Sequence, residues 1–122
     1  MFVMTGHQRA AFRARGFADL REALVAHVIV CFPERLAAVG AASLARHVED
    51  GMRRAESHGL ALDRDVGAYV ELMIAFGEGF ETDPRFPWAR ALCAPEEHDP
   101  SVRIQATFAA ALAALAALAA DP

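Results

Sequence analysis

Apolar residues recur every three or four positions along nearly the whole chain, and no stretch sustains two-residue alternation. That pattern predicts helices throughout and no sheet. In FADLREALVAHVIVCF, Phe17, Leu20, Leu24, Val28 and Cys31 fall on one stripe. Val25, Ile29 and Phe32 widen it, so the second half of this helix is expected to be buried on more than one side. HVIVCF alone has strand-like composition, but its continuity with the preceding pattern decides for helix. Pro33 disfavours a helical Phe32 and then suits the first turn of a short helix, PERLAAV, closed by Gly40. AASLARHVEDGMRRAESH is the cleanest amphipathic segment, with Leu44, Val48, Met52 and Ala55 on one face. On the other face, Glu49 with Arg53 and Asp50 with Arg54 have the spacing of surface ion pairs. After Gly59, Asp63 is expected to cap a fourth helix, RDVGAYVELMIAF, which turns Val66, Tyr69, Val70, Met73 and Phe76 inward and ends at Gly77.

FGEGFETDPRFPWA, residues 76 to 89, breaks the rule that loops are polar, because it carries Phe76, Phe80, Phe86 and Trp88. Gly77 and Gly79 permit a sharp turn out of the helix, Asp83-Pro84 starts a second turn, and Pro87 opens a short helix reaching about Cys93. These devices predict a loop that folds inward as a clamp over Met73 and Phe76. The competing reading is an aromatic surface offered to a partner. After a break at Pro95, Asp99 and Pro100 form an N-cap and first-turn pair that opens a last helix. Its stripe is Ile104, Phe108, Leu112 and Leu115, continuing to Leu118, and alanine covers most other faces. Such a helix either completes the core or lies against a partner or a second copy. The expected architecture is an all-α bundle of five or six helices in a single domain, residues 1–122, with 1–16 as a flexible or separately packed lead-in.

Composition narrows the function. At 122 residues and 55% hydrophobic content, the chain can build one core without disulfide or metal. The net charge of −4 gives no electrostatic drive toward nucleic acid or anionic lipid. All 12 basic residues are arginine, with no lysine or asparagine, a bias of GC-rich coding that suggests a bacterial source. The longest uncharged run, IQATFAAALAALAALAA, is mostly alanine and falls short of the roughly 20 residues a membrane span needs. No apolar signal region precedes the first acid, so the protein is expected to be cytoplasmic.

The candidate chemistry is thin. Cys31 and Cys93 are far apart in apolar surroundings and read as reduced, buried thiols outside any zinc pattern. His27 and Cys31 are spaced i,i+4, which lets a base reach a thiol, but their apolar context favours a core histidine and an inert cysteine. The acids Glu78, Glu81, Asp83 and EEHD (96–99) lack the spacing of a calcium loop, so apart from the cap Asp99 they read as solvated. His47, His58 and His98 form no ligand pair. No catalytic, cofactor or metal residue is assigned, and a small acidic helical domain of this kind reads as a binding module. The candidate partner-binding residues are Phe80, Phe86, Trp88, Phe108, Leu112 and Leu115.

Residues 32 to 93 also carry a recognisable pattern: FP at Phe32-Pro33, a helix ending in HG at His58-Gly59, and DRDV from Asp63 where the pattern has ERDV. Tyr69, LM at Leu72-Met73, FG at Phe76-Gly77, Phe80, DP at Asp83-Pro84 and PWA at Pro87-Ala89 follow. This half of the chain resembles a group of small bacterial helical proteins encoded in type VI secretion gene clusters, among spike, adaptor and effector genes. The resemblance implies a non-enzymatic accessory role, as adaptor or chaperone for a secreted effector. The alternative is an immunity protein that neutralises a cognate toxin, and a small enzyme is a distant third. The implied partner is another protein (effector, spike component or toxin), with homo-oligomerisation through the last helix as a further use of the same surface. The resemblance implies no cofactor and no catalytic residue.

Overall fold

In the computed structural model, residues 16–93 and 99–120 are described; the lead-in, Pro95 and the acids at 96–97 lie outside them. The described residues form five α-helices in chain order: α1 (Phe17–Cys31), α2 (Pro33–Val39), α3 (Ala41–Ser57), α4 (Asp63–Phe76) and α5 (Pro100–Ala120). Two 3₁₀ segments, Phe80–Thr82 and Pro87–Cys93, connect α4 to the last helix, and the described residues contain no strand. The fold is all-α. Each boundary has a local cause. Pro33 sits in the first turn of α2, and Gly40 closes that helix at φ 83°. Gly77 ends α4 at φ 104°, a conformation that a side chain resists. Asp99 caps α5 as expected, its Oδ1 accepting the Ser101 N–H at 2.8 Å.

The expected cap at Asp63 is replaced by Leu62, whose carbonyl accepts from the Asp65 and Val66 N–H groups at 2.9 and 3.0 Å. Asp63 is instead the first helical residue, where a carboxylate complements the helix dipole.

Helix α4 is the axis of the bundle. It packs against α1, α3, α5 and the first 3₁₀ turn, so Asp65 through Ile74 are all buried, not one face alone. Helix α3 approaches it most closely at Gly51. A Cβ there would meet Met73 Cε at 3.0 Å and Val70 Cγ2 at 3.1 Å, so glycine lets the two backbones close up. Leu44, Val48, Met52 and Ala55 form the buried face of α3, as the pattern predicts. Helix α1 contributes Leu20, Leu24 and Val28, while Phe17 and Cys31, the two ends of the expected stripe, lie at the surface.

The aromatic loop turns inward. Phe80 is 1% exposed, and Phe86 and Trp88 pack part-buried against the core. Phe76 meets Trp88 at 5.0 Å and Phe86 at 5.1 Å between ring centres, both edge to face, the favoured aromatic geometry. Asp83 holds the turn by accepting from the Arg85 backbone N–H at 2.9 Å and its guanidinium at 2.8 Å. The 3₁₀ segment Pro87–Cys93 is tied to α5 by buried Arg103, which donates to the Leu92 carbonyl at 2.9 Å.

Candidate functional site

Helix α5 is buried in only part of its length. Arg103, Ile104, Thr107 and Ala111 enter the bundle, whereas Leu112, Leu115 and Leu118 are 55%, 46% and 72% exposed. The stripe read from the sequence therefore has two fates: its first half completes the core and its second half faces outward. Where α5 leaves α4, the two helices leave a pocket of about 180 Å³. Phe32, Leu72, Phe76, Phe108, Leu112 and Leu115 line it, with Glu71 at its edge. Three of the six candidate partner-binding residues, Phe108, Leu112 and Leu115, thus converge on one apolar groove. Phe86 and Trp88 belong to the clamp, and Phe80 is corrected outright: a side chain buried to this degree offers nothing to a partner. By length and composition alone Pro100–Ala119 could also cross a membrane, with mean hydropathy 1.7, because the helix extends past the uncharged run and tolerates one arginine.

A polar cluster lies inside the bundle. The Tyr69 hydroxyl donates to Glu81 Oε2, and His58 Nε2 meets the same oxygen at 2.9 Å. Tyr69 is fully buried and Glu81 is 5% exposed, so the reading of Glu81 as a solvated acid is overturned. Burial pushes the Glu81 carboxyl up, yet the hydrogen bonds from His58 and Tyr69 outweigh it and hold the acid below its ordinary range. Burial, reinforced by the neighbouring carboxylate, raises the Tyr69 phenol well above its ordinary value. The cluster therefore keeps a neutral tyrosine against an ionised glutamate, and it pins the aromatic loop to α4 and the end of α3. Of the acids flanking Glu81 in the loop, Glu78 lies beside Arg54 at 3.8 Å and Asp83 pairs with Arg85 at 2.8 Å.

A second polar cluster joins α1 to α4. His27 Nε2 lies 2.6 Å from Glu71 Oε1, and Cys31 Sγ lies 3.6 Å from His27 Nε2 and 3.8 Å from Nδ1. One donor atom from each of the three residues falls within 4.8 Å of the others. Glu71 is 8% exposed, His27 is half-buried and Cys31 is exposed, contrary to the expected buried thiol. Cys93 is exposed too, and burial of its thiol nonetheless raises its pKa. In a cysteine–histidine relay the carboxylate and the thiol occupy opposite ring nitrogens, leaving one nitrogen free to take the thiol proton. Here Glu71 meets Nε2, while Cys31 lies at nearly equal distance from both ring nitrogens.

The sequence exposed the His27–Cys31 spacing but not Glu71, which is 44 positions from His27 and outside the inward stripe predicted for α4. The ion pairs also differ from the expected ones. Glu49 pairs with Arg21 of α1 at 3.4 Å, and Asp50 with Arg53 at 3.7 Å. Comparison of the chain with protein-family profiles, curated proteins and solved structures finds no match.

Proposed function

We propose that the protein is a non-enzymatic accessory module that binds another protein through the outward half of α5 and the groove beside it. One observation carries this reading: Leu112, Leu115 and Leu118 are exposed at helical spacing on the end of a helix whose first half is firmly packed. A regular apolar row at helical spacing matches the helix-in-groove mode of recognition, in which such residues anchor in a partner's cleft. The resemblance of residues 32 to 93 to proteins encoded among type VI secretion genes supports a secreted effector as the partner, with adaptor or chaperone as the role.

The test is co-expression with effector or toxin products encoded beside the gene. A complex should form with the wild-type chain and be lost in Leu112→Arg and Leu115→Arg, with helicity unchanged by circular dichroism. An unaltered complex in both variants would refute the surface. Deleting the gene then separates the roles, since loss of an adaptor silences secretion and loss of an immunity protein kills the cell beside an active toxin.

A further inference from the structure

We propose that His27, Cys31 and Glu71 form a binding site for one divalent transition-metal ion of the zinc type. The site shares Glu71 with the groove beside α5, but its test needs no protein partner. The donor set is an imidazole nitrogen, a thiolate sulfur and a carboxylate oxygen, the mixed set that a borderline-soft ion such as Zn²⁺ accepts and that Mg²⁺ or Ca²⁺ does not. Metal–ligand bonds of ~2.0–2.3 Å in a tetrahedron place neighbouring donors roughly 3.3–3.8 Å apart. The 3.6 Å from Cys31 Sγ to His27 Nε2 already has that value. The 2.6 Å from His27 to Glu71 is a hydrogen bond, and an ion would replace its proton and open that edge by about 0.7–1.2 Å, within reach of a glutamate torsion.

Placement supports the same assignment. His27 and Cys31 lie one turn apart on α1, and Glu71 comes from the buried axis helix α4, so all three ride on regular helices that fix their geometry. Glu71 lies against Nε2 of His27 and Cys31 Sγ lies within 3.8 Å of both ring nitrogens, so one donor atom from each residue borders a common point. Exposed Cys31 gives the ion a way in from solvent. The three described donors supply three positions of the tetrahedron that zinc prefers. Binding converts the Cys31 thiol to thiolate and releases its proton to solvent, so affinity rises with pH.

The experiment uses the full chain, stripped with chelator under reductant and titrated with Co²⁺ as a spectroscopic stand-in for Zn²⁺. The expected result is one equivalent bound, with visible bands of tetrahedral intensity and a sulfur-to-cobalt charge-transfer band in the near ultraviolet, both abolished by added Zn²⁺. Cys31→Ser, a change at an exposed position, should remove the charge-transfer band, and His27→Gln should weaken binding by at least about 10–100-fold. Cys93→Ser should change neither. A wild-type chain with no charge-transfer band, or a band that survives Cys31→Ser or disappears in Cys93→Ser, would overturn the proposal.

Discussion

Removing the Tyr69 hydroxyl isolates the energy of the buried polar cluster. In Tyr69→Phe the ring contacts with His58 and Phe80, each 5.4 Å between centres, are kept, and only the hydrogen bond to Glu81 is lost. The acceptor is an ionised carboxylate held in the interior, and a hydrogen bond to a charged group contributes about 1.5–3 kcal/mol. Glu81 retains His58 on the same oxygen, so its charge is not stranded and the cost should stay near 2 kcal/mol, within that range. For a domain of this size that corresponds to a fall in Tm of roughly 6–10 °C. Chemical denaturation at pH 7, followed by circular dichroism, measures it directly. Repeating the change in a Glu81→Gln background supplies the control. There the hydroxyl meets a neutral amide oxygen, and its removal should cost only about 0.5–1.5 kcal/mol. The difference, about 1 kcal/mol, is the coupling between phenol and carboxylate charge. Equal costs in the two backgrounds, or a wild-type cost below about 0.5 kcal/mol, would refute the argument that this bond holds the loop to α4.

Three further outcomes are expected. Because the folded Glu81 carboxyl titrates below its ordinary value of 4.5, its ionised form contributes stability that is complete above that value and is lost as pH falls through the lower folded pKa. The stability gap between wild type and Glu81→Gln should therefore persist from pH 7 down to about 4.5 and narrow below it, and denaturation curves across that interval check it. Trp88→Ala removes a part-buried ring in contact with Phe76, Phe80 and Phe86 and should cost about 2–4 kcal/mol, while wild-type Trp emission lies to the blue of free indole. Gly51→Val should lower stability by about 1–3 kcal/mol through overpacking against Val70 and Met73, with thermal melts as the measure.

The helices were legible because their ends are written in residues with strict backbone preferences: Pro33, Gly40, Gly77 and the Asp99-Pro100 pair act within a turn of their own position. The clamp was legible for the same reason, as two glycines and two prolines left the rings of the loop few directions. The polar clusters were not. His58 and Glu81 are 23 positions apart, and Tyr69 and Glu81 are 12. Periodicity treats each acid by its own neighbours, so Glu81 read as solvated until Tyr69 came within reach of it. The single-face picture of α4 hid Glu71 in the same way. A helix surrounded on all sides has no polar side, and any acid on it needs a partner from elsewhere in the chain. An acid inside a predicted axis helix, or directly beside an aromatic residue expected to be buried, is the signal that could have found both.

The uneven burial of α5 also has a thermodynamic reading. Residues from Arg103 to Ala111 are locked by the core and by Arg103 on Leu92, so their amides should exchange with solvent only when the whole domain opens. From Leu112 onward little beyond alanine's intrinsic preference holds the helix, and amide exchange there should proceed by fraying, at free energies near zero. One continuous rod thus holds two stabilities. Its outer turns can melt, bend or re-form at almost no cost to the fold behind them.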